Sequence, residues 1–144
     1  MARLHEVLAS PGDELEAESR LAMIAQRITA HLDPIAPSVR DGRDAGLARL
    51  VRDRLDDDAP SLEQLARELG THPSHLVRVF GREYGLPPHR YVVGRRLDRA
   101  RPLLLAGMPI AEVATVTGFH DQSHLTRHFR TMLGTTPGAF RGAA

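Results

Sequence analysis

The fold is decided by residues 61–88, SLEQLARELGTHPSHLVRVFGREYGLPP, and by residues 109–137, PIAEVATVTGFHDQSHLTRHFRTMLGTTP. The second stretch repeats the first at an offset of 48 and, after one inserted residue, at an offset of 49. Nine identical pairs recur in the same order: Ala66/Ala114, Gly70/Gly118, Ser74/Ser123, His75/His124, Leu76/Leu125, Arg78/Arg127, Phe80/Phe129, Gly85/Gly134 and Pro88/Pro137. The chain therefore carries one supersecondary unit twice.

Each copy of this unit opens with a short apolar helix. In the first copy, Ser61 and Gln64 stand three residues apart, which is the capping-box spacing that marks a helix start. A glycine, Gly70 or Gly118, follows the short helix in each copy. Because glycine adopts the left-handed conformation at no steric cost, it suits the closure of a helix at this point.

A second helix is predicted three or four residues after each glycine. Pro73 suits the first helical position in one copy, and Asp121 suits the N-cap in the other. A short helix, a glycine turn and a second helix make the helix-turn-helix layout. The apolar residues of the second helices, expected to pack inwards, are Leu76, Val79 and Phe80 in the first copy and Leu125, Phe129 and Met132 in the second.

The opposite faces of the two second helices are mostly polar or cationic. They present Ser74, Val77, Arg78 and Arg82 in the first copy, and Gln122, Ser123, Thr126, Arg127 and Arg130 in the second. Such side chains are able to read base edges and contact phosphates. The alternative is a pair of solvated faces in a helical repeat protein, but an arginine at the same position of both copies favours nucleic acid.

Composition agrees with this interpretation once the chain is divided. The net charge of +1 combines residues 1–59, with 8 arginines and 12 acidic residues, and residues 60–144, with 11 arginines and 6 acidic residues. Every basic residue is an arginine, whose planar fork suits phosphates and guanine edges. The absence of cysteine excludes disulfides and thiolate chemistry and favours a cytoplasmic location. No stretch approaches the roughly 20 apolar residues of a membrane helix, and no apolar signal core follows the first residues.

Helical periodicity also precedes the repeat, so the whole chain is predicted to be all-α. Residues 33–44, rich in proline and glycine, are expected to form a linker or long turn. One apolar stripe lies before this linker and one after it: Leu21, Ile24, Ile28 and Leu32, then Leu47, Leu50, Val51 and Leu55.

Much of the repeat and the sequence between its copies resembles the AraC family of transcription regulators. The matching residues are Gly85, Pro88, Tyr91, Arg96, Leu97, Ala100, Leu103, Leu104, Ile110, Val113, Ala114, Gly118, Phe119, Ser123, Leu125, Arg127, Phe129, Arg130, Gly134, Thr136, Pro137, Phe140 and Arg141. The first copy fits the family's less strict pattern through Leu65, Ala66, Gly70, Ser74, Leu76 and Phe80.

The resemblance implies an all-α DNA-binding domain over residues 45–144, with two homeodomain-like helix-turn-helix subdomains at about 61–85 and 109–134. A connecting helix over about 89–106 joins them, and the two recognition helices enter successive major grooves, about 34 Å apart. Residues 1–44 form an N-terminal helical segment and linker, of which 3–33 are similar to the tail of a sensor domain. The stripe from Leu21 to Leu32 could pack on the DNA-binding domain, on a second copy in a homodimer, or on an absent domain.

The implied function is activation of transcription, with double-stranded promoter DNA and RNA polymerase as partners and no cofactor. The expected base contacts are Ser74, Val77, Arg78, Gln122, Ser123 and Arg127. The expected phosphate contacts are Arg82, Arg95, Thr126 and Arg130. Arg78 and Arg127 could instead contact phosphate.

Pro102 departs from a regular connecting helix. Proline removes one backbone hydrogen bond and clashes with the carbonyl of residue Asp98, at a cost of about 3 kcal/mol in a straight helix. We therefore expect a kink or an early helix end at this position.

Other chemistry is less well supported by the sequence. His120, His124 and His128 share a helix face, and such pairs bind zinc or nickel. However, His124 matches His75 in the repeat, which favours packing or a backbone contact at the helix start, and DNA contact is a further possibility. We therefore expect no metal site. We also expect no enzyme activity, since the sequence contains no nucleophile elbow or phosphate loop. The main alternative function is a helical interaction module that heterodimerises without binding DNA.

Overall fold

The computed structural model describes residues 17, 20, 21 and 24, residues 41–57 and residues 60–143. Their regular structure is entirely helical, which confirms the all-α prediction. Between residues 41 and 143 the helices are α1 (Asp41–Asp57), α2 (Leu62–Glu68), α3 (Pro73–Tyr84), α4 (Pro88–Leu105), α5 (Ile110–Val116), α6 (Gln122–Leu133) and α7 (Pro137–Gly142). Within these ranges, none of the helices combines the length and apolar character needed to cross a bilayer.

The N-terminal stripe is described only in part. Leu21 and Ile24 are helical, and 69% and 57% of their surfaces are exposed. The other two residues of the stripe, Ile28 and Leu32, lie outside the described residues. The linker predicted to reach residue 44 is wrong over 41–44, which form the first turn of α1, where the Asp44 carboxylate approaches the His75 ring.

The chain divides into two compact units, Met1–Val92 and Val93–Ala144. In the first unit, α3 contacts both α1 and α2. Its core is apolar and combines residues of the three helices with one from the start of α4: Val51, Leu55, Leu62, Leu65, Ala66, Leu76, Val77, Phe80 and Val92. Val79 is also buried, as predicted, whereas Leu50 of the α1 stripe is exposed.

Specific polar contacts fix the helix ends of the first unit. The capping box predicted at the start of α2 is confirmed, because the Gln64 amide donates to Ser61 Oγ and the Ser61 amide donates to the Gln64 side chain, both at 3.2 Å. Gly70 follows with φ of +61°, as its position in the repeat predicted. The Tyr91 hydroxyl donates to the Asp56 carboxylate at 2.9 Å and ties α4 to α1.

The second unit is built from α5, α6, α7 and the part of α4 that follows Val92. Its buried core comprises Val93, Leu97, Ala100, Leu104, Val113, Ala114, Phe119, Leu125 and Phe129. The Phe129 ring meets the Phe140 ring of α7 edge-on, with 5.4 Å between centroids. Met132, predicted to pack inwards, is 38% exposed, because it stands in the last turn of α6 with its methyl group near Gly94 on the surface of α4.

Gly118 requires glycine for two reasons. Its φ is +83°, which side chains other than glycine adopt only with strain. A Cβ atom there would also lie 3.3 Å from the Nε of Arg96, whose side chain covers the turn between α5 and α6. The repeated glycine thus allows a tight turn that leads directly into α6.

The helix α4 continues past Pro102 to Leu105, so the predicted early end at this proline is wrong. Ala100 and Leu104 are fully buried on the two sides of the proline in sequence, and their packing holds the helix in place. Asp98 and Pro102 themselves are exposed, so water is able to satisfy the carbonyl that the proline leaves unpaired. Gly107, with φ of +84°, ends the helix instead. The kink remains a prediction.

Candidate nucleic-acid interface

The first candidate surface is the N-terminal half of α3. Pro73 occupies the first turn, as predicted, and His72 is the N-cap. The His72 ring accepts a hydrogen bond from the Ser74 amide at Nδ1, with a distance of 3.3 Å. Histidine is not among the usual capping residues, so this cap was not predicted, although the position before a first-turn proline indicated it.

Two predicted base-contact residues of α3 are held by histidines. Ser74 Oγ lies 2.7 Å from Nδ1 of His72, and Arg78 Nη2 lies 2.6 Å from Nδ1 of His75. Arg78 is half-buried, and its Nε is buried with no hydrogen-bond partner in the described part of the chain. The guanidinium therefore leaves the helix in a defined direction.

Val77, predicted as a base contact, is only 3% exposed and belongs to the core of the first unit. The reason is that α3 packs against two helices at once, which buries a wider face than its pattern suggested. Val77 still borders a shallow concavity together with Arg78 and Arg82. Arg82 is exposed, as a phosphate contact requires.

The second candidate surface is α6, which begins at an aspartate cap. As predicted, Asp121 is the N-cap, and its carboxylate accepts a hydrogen bond from the His124 amide at 2.7 Å. This backbone hydrogen bond is the main cause that holds the pKa of Asp121 below its ordinary value. The nearby rings of His120 and His124 lower the pKa of Asp121 further.

The lowered pKa of Asp121 predicts a loss of stability in acid. A depressed pKa means that the carboxylate stabilises the folded chain fully above the ordinary aspartate pKa of about 3.9, and less as the pH falls below it. Asp121→Asn keeps an N-cap that does not titrate. In urea unfolding followed by circular dichroism, the advantage of the wild type over Asp121→Asn should shrink between pH 5 and pH 3. A pH-independent difference would contradict this assignment.

Most of the predicted contact residues of the second unit lie together. One shallow concavity along α6 is lined by Gln122, Ser123, Thr126, Arg127, Arg130 and Thr131. Thr131 was not among the predicted contacts, although it follows Arg127 by one helical turn and matches Arg82 in the repeat. Its hydroxyl donates to the Arg127 carbonyl at 2.9 Å.

Arg95 is exposed on α4 and borders neither of the two described concavities.

The three histidines do not form a common cluster with other ligands. His124 is 8% exposed and meets the Phe119 ring edge-on, and its Nδ1 accepts from the His120 amide at 3.3 Å. The prediction of packing and a backbone contact for His124 is therefore confirmed. Its Nε2 lies 2.8 Å from Nε2 of His128. No group of three or more histidine, aspartate or glutamate side chains in the described ranges is arranged to hold a metal ion.

The charge of the chain is concentrated in the second unit. Residues 93–144 contain seven arginines and three acidic residues, whereas residues 41–92 contain eight arginines and nine acidic residues. Two of these seven arginines are exposed on the α6 surface, together with several hydroxyl and amide groups. Such a surface suits a nucleic acid, whose phosphates are anionic and whose base edges offer hydrogen-bond donors and acceptors.

The chain is similar to known regulatory proteins and matches a known domain family. A family described as a helix-turn-helix domain matches residues 65–143. The chain is 37% identical over 81 residues to the virulence regulon transcriptional activator VirF of Yersinia enterocolitica, covering 56% of this chain and 30% of VirF. It is 28% identical over 129 residues to the arabinose operon regulatory protein of Salmonella typhimurium, covering 89% of this chain and 46% of that protein. The chain therefore spans less than half the length of either relative.

A solved structure shares the fold. The C-terminal domain of AraT, a response regulator from Geobacillus stearothermophilus, superposes with a TM-score of 0.57 and 24% sequence identity. The superposition covers 78% of this chain and 89% of that domain. This agreement confirms the helical architecture that the repeat predicted.

Proposed function

Since the chain belongs to the AraC family of helix-turn-helix transcription regulators, we propose that it binds promoter DNA sequence-specifically and activates transcription. In this proposal, α3 and α6 enter successive major grooves. Ser74, Arg78, Gln122, Ser123 and Arg127 contact bases, and Arg82, Arg95, Thr126 and Arg130 contact phosphates. Val77 is left out of the base contacts because it is buried.

The observation that carries the proposal is the concavity along α6. It gathers two exposed arginines with hydroxyl and amide side chains on one helix, beginning at its N-terminal end. Side chains near the start of a recognition helix are those that reach base edges in helix-turn-helix complexes. Base reading needs donors and acceptors, whereas phosphate contacts need cations, and this surface offers both.

Salt dependence tests DNA binding directly. The wild-type chain should shift a pool of random duplexes in a gel, because three arginines are assigned to phosphates. Each neutralised phosphate changes the slope of log K against log salt by about −0.9, so the expected slope for three phosphates is about −2.7. Affinity should then fall about 40-fold between 50 and 200 mM salt. Absence of a shift at every salt concentration would favour the interaction module without DNA binding.

Besides DNA, the proposed partners are RNA polymerase and a second copy of the chain. An activator would contact RNA polymerase in the cytoplasm, and no metal, cofactor or catalysis is involved. The exposed Leu21 and Ile24 support homodimerisation through the N-terminal helix. Sedimentation equilibrium should therefore detect a dimer that Leu21→Glu weakens, whereas Leu50→Glu, at an exposed position of α1, should leave it unchanged. Equal behaviour of both variants would contradict this interface.

A further inference from the structure

We propose that Asp44 and His75 are positioning residues that orient Arg78 for base contact, so that the first recognition helix tolerates fewer base changes at its site than the second. This inference rests on the proposed DNA binding, because Arg78 is assigned to a base there. Neither Asp44 nor His75 was among the DNA contacts predicted from the sequence. Both act through Arg78 and need no contact with DNA.

The geometry forms a chain of three side chains from α1 to α3. The Asp44 carboxylate lies 3.7 Å from His75 Nε2, and both side chains are mostly buried. A carboxylate on this side favours the tautomer with the proton on Nε2. In that tautomer Nδ1 keeps its lone pair and accepts a hydrogen bond from Arg78 Nη2 at 2.6 Å. At 3.7 Å the Asp44 carboxylate acts through its charge rather than through a hydrogen bond, and it favours the form of His75 that is able to hold the arginine.

The buried Nε of Arg78 adds a second constraint. It has no hydrogen-bond partner in the described chain, so the stem of the guanidinium is enclosed while one terminal nitrogen is held. The concavity beside it is also bordered by Gly81 and Arg82. An arginine with few accessible rotamers loses less entropy when it forms a paired contact with a guanine edge.

The second copy of the repeat lacks this arrangement. His124 stands at the position of His75, but its Nδ1 accepts from the His120 amide and its Nε2 meets His128. His128 occupies the position of the buried Val79, and its ring meets the His124 ring edge-on with 4.6 Å between centroids. Arg127 is exposed, and no described residue accepts a hydrogen bond from its guanidinium. The same histidine and arginine therefore have different roles in the two copies.

A double-mutant cycle on the full chain tests the inference. The probe is the duplex that the wild type selects from a random pool, together with its single-base variants. His75→Ala should weaken binding to the selected duplex about tenfold and flatten the preference at one base pair, because a hydrogen bond to a charged group is lost. His75→Asn, whose side-chain oxygen replaces Nδ1 as acceptor, should recover most of the affinity. Asp44→Ala should also weaken binding to the selected duplex and flatten the preference at that base pair, but less than His75→Ala does.

The cycle also separates positioning from stability. In an Arg78→Ala background, His75→Ala should cause no further loss of affinity, whereas in an Arg127→Ala background its effect should be fully retained. Equal losses in the two backgrounds, or no rescue by His75→Asn, would overturn the positioning role. A wild type that binds no duplex at any salt concentration would instead reject the proposed function, and the inference with it. If His75→Ala fails to fold, Asp44→Ala in the Arg78→Ala and Arg127→Ala backgrounds supplies the same comparison.

Discussion

Phe129→Ala is expected to lower the free energy of unfolding by about 3–5 kcal/mol. The Phe129 side chain is fully buried in the core of the second unit, and its ring packs edge-on against Phe140. Alanine would leave a cavity that neighbours such as Leu125 and Val113 fill only in part. Because small domains are stable by only about 5–15 kcal/mol, this loss is a large share of the total.

Urea unfolding followed by circular dichroism measures the effect of Phe129→Ala. The matched control is Val116→Ala in the same unit, where the side chain is 59% exposed and the change should stay within about 0.5 kcal/mol. If Phe129→Ala unfolded at the same midpoint urea concentration as the wild type, Phe129 would not be part of the core. The sequence analysis assigned Phe129 to this core from its position in the repeat, and the structure confirms the assignment.

Arg127→Ala is expected to weaken binding to a selected duplex by about 1–3 kcal/mol, or roughly 5- to 150-fold, and to relax selectivity at one base pair. An arginine that pairs with a guanine edge discriminates against other bases, and its removal cancels that discrimination. Fluorescence anisotropy on the selected duplex, its single-base variants and a random duplex measures both quantities. Equal losses on selected and random DNA would reject base reading by Arg127.

Arg130→Ala is the comparison on the same helix. A phosphate contact contributes equally to every sequence, so this variant should weaken all duplexes alike and reduce the salt slope by about 1. Arg101→Ala removes the same charge where the arginine lies over the Phe140 ring, outside the proposed contacts. It should leave base selectivity and most of the affinity unchanged. A base-specific loss in Arg130→Ala would exchange the roles of the two arginines.

Features that depend on neighbouring residues were predictable from the sequence. The capping box at Ser61, the cap at Asp121 and the left-handed glycines arise from interactions within four residues along the chain. A local signal also misled where packing competes with it. Pro102 costs one hydrogen bond, but the buried Ala100 and Leu104 hold α4 in place on either side.

The candidate site was predicted as a set of residues rather than as an arrangement. Helical periodicity placed Arg127 and Arg130 on an accessible face of α6, and both are exposed there. Helical periodicity also assigned Val77 to the accessible face of α3. That assignment failed because nothing in the local pattern shows that α3 contacts two other helices. The burial of Val77 depends on how many elements pack around a helix, which periodicity does not report.

Short-range patterns and matched positions were enough to predict the all-α class, the duplicated helix-turn-helix unit, the caps at Ser61 and Asp121, and the family. Only the tertiary structure decided which copy of the repeated arginine is held. Asp44 and Arg78 are 34 residues apart in sequence, and they meet through His75 only because α1 packs against α3. In the second copy, the matching ring of His124 instead contacts His128, which stands at the position of Val79. Contacts between distant segments set these differences, and identical residues in a repeat do not reveal them.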